Sequence, residues 1–353
     1  MPATAAAVAP EFRANARPFV DTSPRIVALG GGTGLPAVLE GLRLAAESGP
    51  ARTDDLCAVV TVTDDGGSSG RLRRELGVLP PGDLRNCLAA LAPEGSPLKA
   101  LLQYRFPQGG ALDGHALGNL MLTALADIGG DFVGAVEQLS AMLGIRGRVL
   151  PTTVANVQLR AVLESGAIVT GETAIVSSGE PVRRLHLEPS PKPLPDVIRA
   201  LVNADAVVVG PGSLYSSILP NLLVEGIAAT ISGVRAVRIC VANLMTEPGE
   251  TDGYTLDDHL RAIRLHAGFD LFDYILVHRG PLCEVATARY ASQGSRRVAV
   301  DQVLRWAGKA RVIEGDFALA DERGRIRHAP RRLAETIRRL AVEGRRMSSM
   351  PAA

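Results

Sequence analysis

Aromatic side chains make up only 4% of this 353-residue chain, and tryptophan occurs once. So few rings leave little material for a broad stacking platform. Charge of one sign is missing too: 38 Lys and Arg face 37 Asp and Glu, a formal net charge of +1. That balance argues against a nucleic-acid or membrane-surface partner. Basic runs such as Arg71-Leu72-Arg73-Arg74 and Arg331-Arg332 have acidic residues nearby and read as solvated helix faces. Cys57, Cys87, Cys240 and Cys283 are far apart with no CxxC pair. A disulfide frame or zinc site is thereby disfavoured, and reduced thiols of a cytoplasmic protein fit better. No apolar run approaches the ~20 residues of a membrane span. Residues 1–24 are rich in Ala and Pro but lack a basic head followed by an apolar core, so a flexible tail is expected there rather than a signal peptide. Also absent are a Lys-Ser or Lys-Thr phosphate-loop ending, a G-x-S-x-G elbow and any known catalytic pattern among the six histidines.

What is present is an alternation of short apolar strands and helices. Arg25–Leu29, then Gly30-Gly31-Gly32-Thr33-Gly34, then an apolar-periodic stretch from Leu35 to Ala46 reads as strand, glycine loop and helix. A second strand near Cys57–Val62 closes a βαβ unit. Helices are expected at Leu84–Ala92, His115–Asp127 and Asp131–Leu143, the last stopped by Gly144. From Val157 to Val176 the pattern alternates in period two around Ser165-Gly166, a hairpin, and Val182–Pro189 adds a strand. Residues 147–191 therefore read as an antiparallel insertion. Pro195–Ala204 is then a helix, Ala206–Val209 a strand, and Ser216 onward a short helix broken at Pro220. Strands follow at Val237–Val241, Tyr274–Val277 and Val298–Val300. Thr255 and Asp258 have capping-box spacing for a helix to His266, and a terminal helix runs from Arg331 to about Gly344. The expectation is a Rossmann-like, doubly wound α/β domain over 25–330 with a mainly parallel sheet and a β insertion, then a C-terminal helix and tail over 331–353.

In an open α/β sheet, ligands bind beyond the carboxyl ends of the strands. Four polar or glycine-rich loops fall there. The first, with Gly31, Gly32, Thr33 and Gly34, lets backbone N–H groups approach an anion at a helix N-terminus. The spacing breaks the dinucleotide fingerprint at Leu35, so phosphate is favoured but not NAD. In TDDGGSSGR, Asp64 and Asp65 can reach a ribose, a sugar hydroxyl or a divalent cation. Ser68 and Ser69 offer hydroxyls there, and Arg71 a bidentate phosphate contact; Asp64 could instead be an Asx cap. Asp83 is placed as an N-cap, whereas Arg85 and Asn86 have no such local role and are candidates for the cleft. His115 and Asn119, four apart, share a helix face. The third loop, Gly210-Pro211-Gly212-Ser213, carries Tyr215 and Asn221 behind it. The fourth, opening at Asn243, brings Glu247, Glu250 and Asp252 together without metal-ligand spacing, which suits sugar hydroxyls.

The stretches IVALGGGTGLPAVLEGL, VVTVTDDGGSSGRLRRELGVLPPGDLRNCLAAL, GHALGNLMLTAL, VVVGPGSLYSSILPNLLV and NLMTEPGETDGYTLDDHLRAI together resemble the gluconeogenesis factor family. Its members are bacterial cytoplasmic UDP-N-acetylglucosamine-binding proteins in the superfamily of 2-phospho-L-lactate transferase. The resemblance covers about residues 25–330. It implies a Rossmann-like fold, a UDP-sugar ligand, and a role in cell shape and wall metabolism on gluconeogenic carbon sources, exercised through protein partners and without established catalysis or cofactor. It also implies that Gly31–Gly34, Asp64, Asp65 and Gly210–Tyr215 line the ligand crevice. In the later matching segments ARYASQG and RIRHAP, Tyr290 could stack on uracil and Arg327 could meet the diphosphate. The alternative is a phospholactate-type transferase, with Asp64 and Asp65 holding Mg²⁺ against a diphosphate; the scarcity of aromatics weighs against its deazaflavin substrate. Neither oligomerisation nor the identity of the sugar is decided by these motifs.

Overall fold

Strands that are apolar on both faces must be covered on both faces. The computed structural model describes residues 23–47 and 55–349. The expected N-terminal tail lies, but for its last two residues, outside them. The strands are β1 (Ile26–Gly30), β2 (Leu56–Val60), β3 (Arg148–Pro151), β4 (Gln158–Leu163), β5 (Ile168–Thr170) and β6 (Val182–Glu188). They continue as β7 (Ala206–Val209), β8 (Val237–Val241), β9 (Tyr274–His278), β10 (Arg311–Gly315), β11 (Ala318–Ala320) and β12 (Ile326–His328). The helices are α1 (Gly34–Glu47), α2 (Gly67–Leu76), α3 (Gly82–Leu91), α4 (Pro97–Gln103), α5 (Leu117–Gly129) and α6 (Phe132–Met142). After them come α7 (Glu172–Ser178), α8 (Pro195–Val202), α9 (Leu219–Leu223), α10 (Ile227–Gly233), α11 (Leu256–Ala267), α12 (Glu284–Ser292) and α13 (Pro330–Ser349).

Seven strands form one parallel sheet in the order β10-β9-β8-β7-β1-β2-β3. β1, β2 and β7 are buried along their whole length, as strands with no polar side chain require. β1 pairs with β2 on one side and β7 on the other, so the strand order reverses at β1/β7. A three-stranded antiparallel sheet, β5-β4-β6, carries the insertion. The doubly wound architecture is thus the expected one.

α13 closes one face. Leu333, Ala334, Ile337, Leu340 and Ala341 are all buried, a helix-period stripe against α1 and the sheet. Contact is close enough that a Cβ on Gly41 would run into the Pro330 carbonyl. The bent pair Leu214–Leu223 and Ile227–Gly233 is as long and apolar as a broken membrane span. It packs instead in the core, and no single helix among the described residues is long and apolar enough to cross a membrane.

Several local expectations are corrected. The period-two pattern does not continue through 172–178: Gly171 turns the chain at φ +100°, and Glu172–Ser178 is helix α7. Val298–Val300 is not a strand but a loop with one isolated bridge, Thr255 to Ala299. The edge position falls to β10 instead, which is half-exposed and so lacks a buried-strand signature. The helix after β7 starts as a π-helical turn, Leu214–Ile218, and Pro220 sits in the first turn of α9 rather than breaking it. The capping box of Thr255 and Asp258 on α11 is as expected.

Candidate functional site

The strand-order reversal is where two glycine loops meet, the default ligand position in this architecture. A Cβ on Gly34 would collide with the Pro211 carbonyl, so the β1 and β7 loops are in direct backbone contact. A Cβ on Gly31 would lie 2.6 Å from Asp83 Oδ2 and 2.7 Å from Thr61 Cγ2. Gly32 has φ +59° and donates its N–H to Asp83 Oδ2 at 2.8 Å. Asp83 is therefore not the N-cap of α3, which is Pro81; it lies in the first turn and braces the glycine loop. From below, Asn221 Nδ2 donates to the Gly30 carbonyl at 2.9 Å. Asn243 clamps the second loop, donating to Gly212 O at 2.9 Å and accepting from Gly212 N at 3.3 Å.

One side of this junction opens into a cavity of about 260 Å³. Thr33, Gly34, Pro211, Gly212, Ser213 and Asn243 line it from the sheet side, and Tyr290 and Arg327 from the C-terminal segments. Arg327 Nη1 donates to Thr33 Oγ1 at 3.1 Å, which ties the C-terminal hairpin β11-β12 to the start of α1. Asp321 lies 3.7 Å from Arg327 Nε. His328 donates Nε2–H to the Ala242 carbonyl at 3.1 Å, and burial pushes its pKa down to about 4. It is a neutral spacer. Burial raises the Glu247 carboxyl, opposed by a hydrogen bond from Ser213.

The other side, beyond β2, is acidic. Burial, then the neighbouring Asp64, Asp83, Glu250 and Asp65 charges, push Glu172 up to about 9 although it keeps some solvent contact. Asp83 is raised to about 6 by burial and Asp64, against the Gly32 hydrogen bond. Glu250, which accepts from Tyr215 N at 3.3 Å, is raised to about 7 by burial and Glu247. Like charges crowded out of water hold on to protons. Asp64 Oδ1 accepts from Gly66 N at 2.9 Å, an Asx turn, and Asp65 Oδ1 accepts from Thr173 N at 3.0 Å and Thr173 Oγ1 at 2.6 Å.

Behind the carboxylates a buried network holds α2, α3 and α5 together. Ser68 Oγ meets His115 Nδ1 at 3.1 Å and accepts from Asn119 Nδ2 at 3.0 Å. His115 sits two residues before α5 begins, so it reaches Asn119 through Ser68 rather than along a helix face. Burial lowers the His115 pKa, and since Ser68 Oγ already accepts from Asn119, its hydroxyl donates a hydrogen bond to the neutral ring. With its hydroxyl buried and already taking Asn119 N–H, Ser68 is a brace and not an exposed nucleophile. Ser69 Oγ accepts from Gly82 N at 3.1 Å, and Arg71 donates to the Asp113 carbonyl. Arg85 is buried, donating to Asn86 Oδ1 at 2.8 Å and towards Gln103.

Of the residues proposed from sequence, the structure gathers Thr33, Gly34, Pro211, Gly212, Ser213, Asn243, Tyr290 and Arg327 around the cavity. Gly31, Gly32 and Gly210 belong to the two glycine loops, and Asn221 braces the first of them through the Gly30 carbonyl. Asp64, Asp65 and Glu250 sit at the acidic end, while Ser68, Ser69, Arg71, Arg85, Asn86, His115 and Asn119 belong to the network behind it. Tyr215 is buried with its hydroxyl 2.9 Å from Tyr254 Oη, and Asp252 caps its own loop through Gly249 N at 2.6 Å. Glu172, Gln293, Ser295 and His328 were not anticipated. Gln293 and His328 lie inside ARYASQG and RIRHAP, but no local pattern marks them. Glu172 was concealed by the strand-like alternation.

With that geometry in place, the relatives are informative. The family model for 2-phospho-L-lactate transferase CofD matches residues 26–318, so this chain belongs to that family. The gluconeogenesis factor of Halalkalibacterium halodurans is 43% identical over 314 residues, 88% of this chain and 95% of that one. That of Bacillus subtilis is 44% identical over 279 residues, 79% of this chain and 86% of that one. A crystal structure of a Bacillus halodurans protein superposes with a TM-score of 0.84 at 42% identity, covering 90% of this chain and 99% of that one.

Proposed function

We propose that this protein binds a UDP-sugar, UDP-N-acetylglucosamine foremost, at the strand-order reversal and acts as a regulator without turnover. The observation that carries this reading is the cavity that joins Arg327, Tyr290 and both glycine loops at the N-terminus of α1. Uracil stacks on Tyr290, and Arg327 with Thr33 receives the diphosphate, next to the positive end of the helix. At about 260 Å³ the cavity is below the ~300–1,000 Å³ of whole-ligand pockets, so it takes one end of an extended molecule. The remainder lies along the glycine loops towards Glu172 and Asp64, whose carboxyl groups suit sugar hydroxyls and not further phosphate. The relatives' name, gluconeogenesis factor, supports a role in gluconeogenic metabolism; the proposal further takes that role to be cytoplasmic, with cell shape and wall metabolism as its output through protein partners. Calorimetric titration with UDP-N-acetylglucosamine tests this: micromolar binding without turnover is expected, and no binding contradicts it.

A second reading, transfer chemistry with Mg²⁺, is favoured by the family's name and the carboxylates beyond β2. The residues do not fit a metal well. Asp65 is spent on Thr173 and one Asp64 oxygen on Gly66, and among the described residues no group of three or more His, Cys, Asp or Glu could hold an ion. Turnover of a deazaflavin precursor, with Mg²⁺ supplied, would favour this second reading.

A further inference from the structure

A second cavity, of about 250 Å³, lies between α2 and the insertion sheet and shares no lining residue with the first. Arg73, Arg74, Asn156, Gln158, Thr63 and Asp65 are the polar groups on its walls. Their chemistry differs from that of the crevice. Two guanidinium groups face one carboxylate, and that carboxylate is occupied, accepting from Thr173 N at 3.0 Å and Thr173 Oγ1 at 2.6 Å.

Arg73 is held rigidly. Its Nε and Nη2 donate to Asn156 Oδ1 at 3.0 and 2.6 Å, and Nη2 also reaches the Val157 carbonyl, whereas Nη1 has no hydrogen bond among the described residues. Arg74 is held loosely, with one long contact from Nη1 to the Asp65 carbonyl at 3.4 Å. A buried, oriented guanidinium beside a second, adjustable one is the arrangement that recognises a planar or tetrahedral oxyanion. The unoccupied donors, together with the side-chain amide of Gln158, would complete such a contact.

We propose that this cavity binds a small metabolite through its phosphate or carboxylate group, with Arg73 and Arg74 receiving the anion. The volume, below that of whole-ligand pockets, limits the occupant to a compact molecule rather than a nucleotide. This inference stands whether or not the crevice takes a UDP-sugar.

The test is calorimetric titration of the full chain with phosphoglycolate, inorganic phosphate and malate in parallel. At least one should bind with a Kd of about 1 mM or tighter. Binding of the phosphate compounds alone assigns a phosphate ligand, and binding of malate alone a carboxylate. Arg74→Gln should weaken the binding roughly tenfold or more, with melting temperature preserved. Arg327→Ala, at the other cavity, should leave it unchanged. If Arg74→Gln does not fold, Gln158→Ala on the same wall should show a several-fold loss. The proposal is overturned if none of the three anions binds, if the variant on this wall binds as tightly as the parent, or if Arg327→Ala loses as much.

Discussion

At the end of the crevice beside β8, side chains from separate stretches of chain leave a cavity of about 260 Å³. At the end beside β2, an equally polar set of residues closes on itself. Ser68 bonds to both His115 and Asn119, leaving only the buried Asn119 Oδ1 without a partner among the described residues, while Asp65 is tied to Thr173 and Asp83 to Gly32. The richest motif in the sequence, TDDGGSSGR, thus supplies mainly braces and charge, while the plainer ARYASQG and RIRHAP supply walls of the open cavity. A conspicuous polar motif can mark the scaffold of a site as readily as its contact surface. Polar groups buried by a fold must be paired, and pairing them produces the same residue types that ligands need.

The comparison is broken most severely where the two ends join. Gly34→Val would push a branched side chain into the Pro211 carbonyl. UDP-sugar binding should then be undetectable by calorimetry, with about 1–3 kcal/mol of stability lost to overpacking. Next is Arg327→Ala, which removes a half-exposed guanidinium from the cavity wall. Affinity for UDP-N-acetylglucosamine should fall roughly tenfold to a hundredfold with little change in Tm, and affinity for uridine should fall much less.

Ser68→Ala sharpens the contrast by doing the reverse. Removing a buried hydroxyl that serves His115 and Asn119 should cost about 1–3 kcal/mol in urea unfolding, while UDP-sugar affinity changes by no more than a few-fold. If affinity falls as steeply as in Arg327→Ala, the two ends are not separable.

The pH dependence is a subtler effect. Asp83, Glu250 and Glu172, at about 6, 7 and 9 when folded, all lie above the ordinary carboxyl range near ~4. The folded state therefore holds protons that the unfolded state releases. Their contribution to stability is complete below ~4 and is lost as pH rises through the folded values. Stability should decline from about pH 4 to 9, most steeply at the lower end where all three groups contribute, and Glu172→Gln should flatten the upper part of that decline. Binding of an anionic nucleotide should likewise tighten as pH falls and the acidic end loses charge; a pH-independent Kd would refute that coupling. Asp252→Ala, which removes an exposed cap, should leave UDP-sugar affinity unchanged.

Much of the fold was legible because the central strands are buried on both faces. The Ile26–Leu29 stretch of β1 and the whole of β7 are unbroken Val, Ile, Leu and Ala runs that nothing else explains. β10 was missed because an edge strand with no buried residue has no such run, and α7 because its apolar residues continue the alternation of β5. The glycine loops were legible, since their positions require glycine for close backbone approach. Asp83 was misread because an acidic residue in a first helical turn resembles a cap locally. Its bond to Gly32, 51 positions away, is a tertiary fact. Tyr290 and Arg327 were named through family resemblance rather than any local pattern, since Tyr290 comes to the cavity from α12 within the last crossover and Arg327 from the hairpin after β10.

The most direct measurement is a pair of calorimetric titrations of UDP-N-acetylglucosamine, into the parent protein and into Arg327→Ala. Binding at the cavity predicts a micromolar Kd for the first and a loss of tenfold or more for the second. Equal affinities, or no binding to the parent, would contradict a UDP-sugar site at the strand-order reversal.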